Sequence, residues 1–261
     1  TPMQSNALLR NSGMTIRQAI AGLFILCMYS APSFSQIHIA VASNFKPTLE
    51  LLISDYMQFR IDNGLAPIKI TVSSGSTGTL FAQISHGAPF DLLMAADSAS
   101  VDRLQQQLNL PEKNAFVYAI GALVFHCQEN APHNLHMLTE WQGSYGQANE
   151  KLAPYGRATT EVVNQLNWVG NSVITATNVA QVSHFIATGA IDCGFTAKSL
   201  LSPETETRQY FDIPSDMHQP IVQKALVLTP NHVEYVDEFK QYVVNQGLEI
   251  IRKSGYLTAH E

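Results

Sequence analysis

The sequence predicts an α/β protein whose mostly parallel sheets are flanked by helices. Short apolar runs alternate with segments of helical periodicity, and turn residues punctuate each change. The composition, 46% hydrophobic and 14% charged over 261 residues, supports one large core or two modest ones.

Residues 36–43 (Gln-Ile-His-Ile-Ala-Val-Ala-Ser) read as a buried strand. Asn44-Phe45-Lys46-Pro47 then turns the chain into a helix, since proline is well tolerated in a helix's first turn. Leu49, Leu52, Ile53, Tyr56 and Phe59 follow at helical spacing until Asn63-Gly64 ends the element. Residues 68–72 form a second strand, and Leu80, Phe81 and Ile84 a short helix stopped by Gly87-Ala88-Pro89. Residues 90–95 are a third strand, after which Asp97 caps a helix through Val101, Leu104 and Leu108.

The apolar run over 117–127 is suited to pass between domains, and residues 128–151 read as polar and loop-rich. Ala153-Pro154-Tyr155-Gly156 opens a helix through Val162, Val163 and Leu166, and residues 172–176 are a strand. Asn178 and Gln181 have the spacing of a reciprocal cap for a helix carrying Val179, Val182, Phe185 and Ile186, which Gly189 stops. Strands follow at 191–196 and 221–228, the latter ending at Thr229-Pro230, and residues 235–253 form one strongly periodic helix. No internal repeat or low-complexity tract is visible.

The N-terminus carries a different signal. After Met14 come Arg17, an uncharged and mainly apolar run over 19–29, and small residues three and one before Gln36. This is the pattern of a secretory signal cleaved after Ser35, and the run is short for a membrane span. Residues 1–13 read as upstream sequence. Cleavage removes Arg10 and Arg17 and no acid, leaving 13 basic against 21 acidic residues, so the formal charge falls from −6 to −8. An acidic, exported protein is a poor partner for nucleic acid or an anionic membrane.

Cys27 leaves with the signal, and Leu26 is too bulky for a lipoprotein site. An oxidising compartment permits Cys127 and Cys193 to pair, although separate buried thiols in two apolar runs are the commoner arrangement. Neither they nor His126, His133 and His136 sit in a cluster of ligands, so no metal site is expected.

Four strand-to-helix junctions share one character: Ser43-Asn44, Ser76-Thr77, Pro154-Tyr155-Gly156 and Asn178-Val179 are small or polar and carry no charge. The first N–H groups of a helix lack internal partners and sit at its positive dipole end. In open α/β sheets such turns lie beyond the carboxyl ends of the strands, where ligands bind. If they converge they make a cage of neutral donors for a tetrahedral anion; otherwise each hydroxyl merely caps its own helix.

These blocks, with Ser73-Ser74-Gly75-Ser76-Thr77-Gly78, Ala82-Gln83-Ile84, Ala95-Ala96-Asp97, Gly189-Ala190 to Gly194-Phe195 and Pro220-Ile221-Val222-Gln223, resemble the periplasmic molybdate-binding proteins (ModA type) of ABC importers over residues 36–261. The resemblance implies a two-domain periplasmic binding protein-like fold of type II. Residues 36–120 with 228–261 then form domain I, residues 121–227 form domain II, and 117–127 and 221–228 act as hinge strands. It implies oxyanion contacts at Ser43, Asn44, Ser76, Thr77, Tyr155 and the backbone of Val179. It further implies molybdate or tungstate as ligand, no cofactor, a monomer in the periplasm, and an ABC permease of the inner membrane as partner. Two positions depart from the pattern: Thr77 stands where serine is usual, and Ala197 about where many members place a binding tyrosine. In the branch this chain resembles, the tyrosine of the Ala-Pro-Tyr-Gly turn takes that place.

Molybdate and tungstate are fully deprotonated near neutral pH and offer only acceptors, which suits a donor-only cage. Phosphate keeps a proton and calls for a carboxylate, absent from the four junctions. Sulfate is acceptor-only but smaller, and a sulfate-binding protein is the nearest alternative. Six or seven hydrogen bonds to a charged ligand, at about 1.5–3 kcal/mol each, are enough for nanomolar binding after the cost of immobilisation. A serine hydrolase is disfavoured because no Gly-x-Ser-x-Gly elbow is present, and a P-loop because no lysine follows Gly78.

Overall fold

The structure is a computed structural model that describes residues 36–168, 171–228 and 233–258. The expected signal over 1–35 and the Thr229-Pro230 turn lie outside those residues. Strands β1 (Gln36–Ala42), β2 (Lys69–Gly75), β3 (Leu92–Ala95) and β4 (Ala115–Gly121) come first. β5 (Leu123–Cys127), β6 (Tyr145–Ala148), β7 (Val173–Ala176), β8 (Cys193–Ala197), β9 (Tyr210–Asp212) and β10 (Ile221–Val227) follow. The helices are α1 (Lys46–Asp62), α2 (Thr77–Ser85), α3 (Ser98–Gln107), α4 (Leu135–Glu140), α5 (Pro154–Leu166), α6 (Val179–Ala187), α7 (Val233–Asn245) and α8 (Leu248–Lys253).

Two five-stranded sheets result, in the orders β2-β1-β3-β10-β4 and β7-β6-β8-β5-β9. In each, three neighbouring strands are parallel, the fourth is antiparallel, and the fifth is antiparallel to the fourth. Four of every five strands therefore run the same way. The orders superpose with β6 in the role of β1, β7 of β2 and β8 of β3. The two sheets thus share a strand order in a chain that shows no repeat in its residues.

Strand alternation builds the core of the first sheet. Ile37, Ile39 and Val41 of β1 pack with Leu92 and Met94 of β3 and with Leu49, Leu52, Tyr56 and Phe239 of the helices. Ala40, Leu93 and Ala95 point the other way, onto Leu80, Ile84, Val101 and Leu104. Around the second sheet Phe125, Tyr145, Val162, Val182 and Phe195 form one cluster, onto which Trp141 and Trp168 pack.

The apolar run over 117–127 serves both sheets: it divides at Ala122 into the end of β4 and the whole of β5. β10 pairs with β3 over residues 224–227 and with β4 over residues 221–226, and so belongs to the first sheet. Three expectations change. The stretch 128–151 holds β6, the strand between β7 and β8, because Gly146 lets the strand approach Ile191 and Val182 where a Cβ would fall 2.3 Å from Ile191 Cδ1. The C-terminal helix is two helices, α7 and α8, parted at Gly247, whose added Cβ would meet Leu52 Cδ2 at 2.7 Å. The cap on α6 is not reciprocal on Asn178: Gln181 Oε1 accepts from the Thr177 N–H (2.8 Å), one residue earlier. Cys127 and Cys193, directly opposite in the β5–β8 ladder, are joined by a disulfide.

Candidate functional site

Each junction is shaped locally. At the end of β1, Ser43 N–H donates to Gly75 O (2.9 Å), tying this turn to the end of β2, and Phe45 N–H donates to Ala42 O (2.9 Å). The α1 N-terminus has no side-chain cap. At the end of β2, Ser76 caps α2 by accepting from Thr79 N–H (3.3 Å). Thr77 Oγ1 accepts from Ala96 N–H (3.0 Å), and no acceptor for its own proton is found among the described residues.

At the end of β6, Ala153 again offers no side-chain cap, and Pro154 opens α5. Gly156 lies so close to the chain before it that a Cβ would fall 2.4 Å from Ala148 O. At the end of β7, Asn178 Oδ1 caps α6 by accepting from Gln181 N–H (3.0 Å), and Val179 takes the first helical position.

All four turns line one small cavity. Ser43, Asn44, Ser76, Thr77, Tyr155 and Val179 share it with small residues such as Ala42, Ala96 and Ala153, and no charged residue is among its lining. It is small, with space for a single compact group. All six residues are buried. The closest carboxylate in sequence, Asp97, is occupied twice: Oδ1 accepts from Ser100 N–H (2.7 Å) to cap α3, and Oδ2 is ion-paired with Arg157 of α5.

Behind the cavity lies a buried polar network that reasoning from the sequence did not find. Asn44 Nδ2 donates to Gln223 Oε1 (3.0 Å) and to Tyr256 Oη (2.9 Å). Tyr256 Oη donates to Asn44 O (2.9 Å), which also accepts from Ser199 Oγ (3.2 Å). Tyr118 Oη shares its proton between Ala95 O and Gln223 Oε1, both at 3.0 Å. Gln223 Nε2 donates to Tyr155 Oη (3.3 Å). Burial pushes the phenols of Tyr118, Tyr155 and Tyr256 well above the ordinary tyrosine range, so all three stay protonated. Gln223 stands in the Pro-Ile-Val-Gln block, yet nothing local to that block announces its partners.

Both protons of the Asn44 side-chain amide are therefore spent inward. Ser76 Oγ caps α2 and is also bonded to Thr79 Oγ1 (2.7 Å), whereas Thr77 Oγ1 has no acceptor for its own proton among the described residues.

Residues 37–257 match the family model described as bacterial extracellular solute-binding protein. The chain belongs to that family. This solute-binding protein is 30% identical over 200 residues to the molybdate-binding protein ModA of Rhodobacter capsulatus, covering 72% of this chain and 77% of the relative. It is 28% identical over 249 residues to the ModA of Azotobacter vinelandii, covering 87% and 91%. The solved periplasmic molybdate-binding protein of Azotobacter vinelandii superposes with a TM-score of 0.75 at 27% identity, covering 85% of this chain and 98% of that one. The solute-binding protein is thus of the ModA type, with the type II two-domain fold.

Proposed function

We propose that this solute-binding protein captures molybdate in the cavity between its two sheets and delivers it to an ABC importer. The carrying observation is that four helix N-terminal turns, one pair from each sheet, line a single buried cavity with no charged residue. Main-chain N–H groups of Asn44, Thr77, Tyr155 and Val179, with the Ser43 and Thr77 hydroxyls, are the donors we assign to the anion. Ser76 serves by capping α2 and holding Thr77 in place. A fully deprotonated oxyanion needs no acceptor from the protein, so an uncharged, donor-only cage suits it and disfavours protonated phosphate.

In this reading the sheets are the cores of two domains that hinge at Ala122 and at the chain leading into β10, and closure over the anion creates the surface the permease meets. Tungstate, with the same charge and nearly the same size, fits the same cage. The protein acts as a monomer in the periplasm after loss of residues 1–35; no helix among the described residues is long and apolar enough to cross a membrane. The role is binding and transport, without catalysis.

Calorimetric titration of the ligand-stripped protein with molybdate, tungstate, sulfate and phosphate tests this. Tight one-to-one binding of the first two, with sulfate weak and phosphate silent, is expected. Sulfate bound as tightly as molybdate would move the function to general oxyanion uptake.

A further inference from the structure

We infer that Gln223 is a positioning residue for the anion site, and that Tyr155 serves the site through its hydroxyl's bond to Gln223 rather than by touching the anion with that hydroxyl. This rests on the molybdate reading above and concerns how the cage is held together.

The geometry is specific. Gln223 is fully buried on β10 of the first sheet, whereas Tyr155 is in the first turn of α5, which follows β6 of the second. The Gln223 Nε2 to Tyr155 Oη bond joins the two halves directly behind the cavity. A carboxamide is the side chain that can do this, because Oε1 receives Asn44 Nδ2 and the Tyr118 hydroxyl while Nε2 gives to Tyr155.

The approach is close as well as polar. A Cβ added to Gly121, at the crossing between the sheets, would fall 2.2 Å from Tyr155 Oη and 2.9 Å from Gln223 Nε2. The crossing leaves just enough room for this pair. One side chain thus fixes Asn44, which lines the cavity from the first sheet, and Tyr155, which lines it from the second.

If the pair holds the closed cage, its loss speeds release of the anion and leaves capture alone, since capture begins with the halves apart. Molybdate association and dissociation rates, followed by stopped-flow on the full-length protein, read this out. Tyr155→Phe removes only the oxygen and should raise the dissociation rate about three- to tenfold, the worth of one neutral hydrogen bond, with the association rate and the preference for molybdate over sulfate unchanged. In a Gln223→Leu background, Tyr155→Phe should have no further effect on release. Gln223→Met, of similar length, replaces the leucine variant if that one fails to fold.

An equal rise in both backgrounds would mean that the Tyr155 hydroxyl acts elsewhere, on the anion itself, and would overturn the inference. So would a dissociation rate that Tyr155→Phe does not move. Wild-type protein that ignores molybdate would overturn the functional reading and this inference together, so the two failures are distinguishable.

Discussion

At the scale of single residues, Thr77 and Val179 make the sharpest contrast in the cage. The Thr77 oxygen accepts from Ala96 N–H, and no acceptor for its own proton is found among the described residues. Thr77→Ala removes that donor and strands the Ala96 N–H; a hydrogen bond to a charged partner is worth about 1.5–3 kcal/mol, so molybdate affinity should fall roughly ten- to a hundredfold in calorimetry. Val179→Ala should change it little, because the valine offers its main chain. Equal losses at the two positions would count against the site.

The buried phenols carry a pH signature. Burial raises the Tyr118, Tyr155 and Tyr256 pKa values in the folded state. Their contribution to stability is therefore complete below the ordinary tyrosine pKa of about 10 and is lost as pH rises above it. Melting temperature should be insensitive to these groups at neutral pH and fall in strongly alkaline buffer. Tyr118→Phe, which removes one of the three hydroxyls, should flatten that fall.

At the scale of elements, the disulfide and β6 mark what a linear reading catches and misses. Cys127 and Cys193 lie in apolar runs 66 residues apart, and only the β5–β8 register brings them opposite each other. No spacing in the sequence carries that register. A closed loop of this length is worth about 4 kcal/mol by chain entropy, so the Cys127→Ala/Cys193→Ala protein should lose roughly 2–4 kcal/mol in urea unfolding. Cys193 begins β8, whereas the cavity lies past the far ends of the parallel strands β6 and β7, so anion affinity should survive the change. β6 is short and interrupted by glycine and glutamine, a pattern of close packing that has no hydrophobic alternation to announce it. The long C-terminal periodicity misleads in the opposite way, since α7 and α8 keep one apolar face across the break at Gly247.

For the whole molecule, the α/β class and all four junctions are legible because strand, turn and helix signals are local. Convergence of the junctions is not local. It follows from a strand order used twice, which puts the turns after β1 and β2 opposite the turns after β6 and β7. The network of Tyr118, Gln223 and Tyr256 is hidden for the same reason, since its members lie on separate strands and beyond α8. The ion pair of Asp97 with Arg157 also belongs to this scale, since it joins α3 to α5 beside the cavity. Arg157→Gln frees the Asp97 carboxylate to repel the anion. Molybdate affinity in that variant should drop by several-fold at low salt and recover toward wild type at high salt, because a partly exposed pair is screened. A loss that ignores ionic strength would assign Arg157 a packing role.

The absence of charge in the cage has an electrophoretic consequence. No charged side chain lines the cavity to balance an arriving anion. Loading therefore adds the whole charge of the cargo to an already acidic protein. Filled and empty molecules should separate on an anion-exchange column, and opening of the cleft should release the cargo's charge without leaving an unpaired one behind.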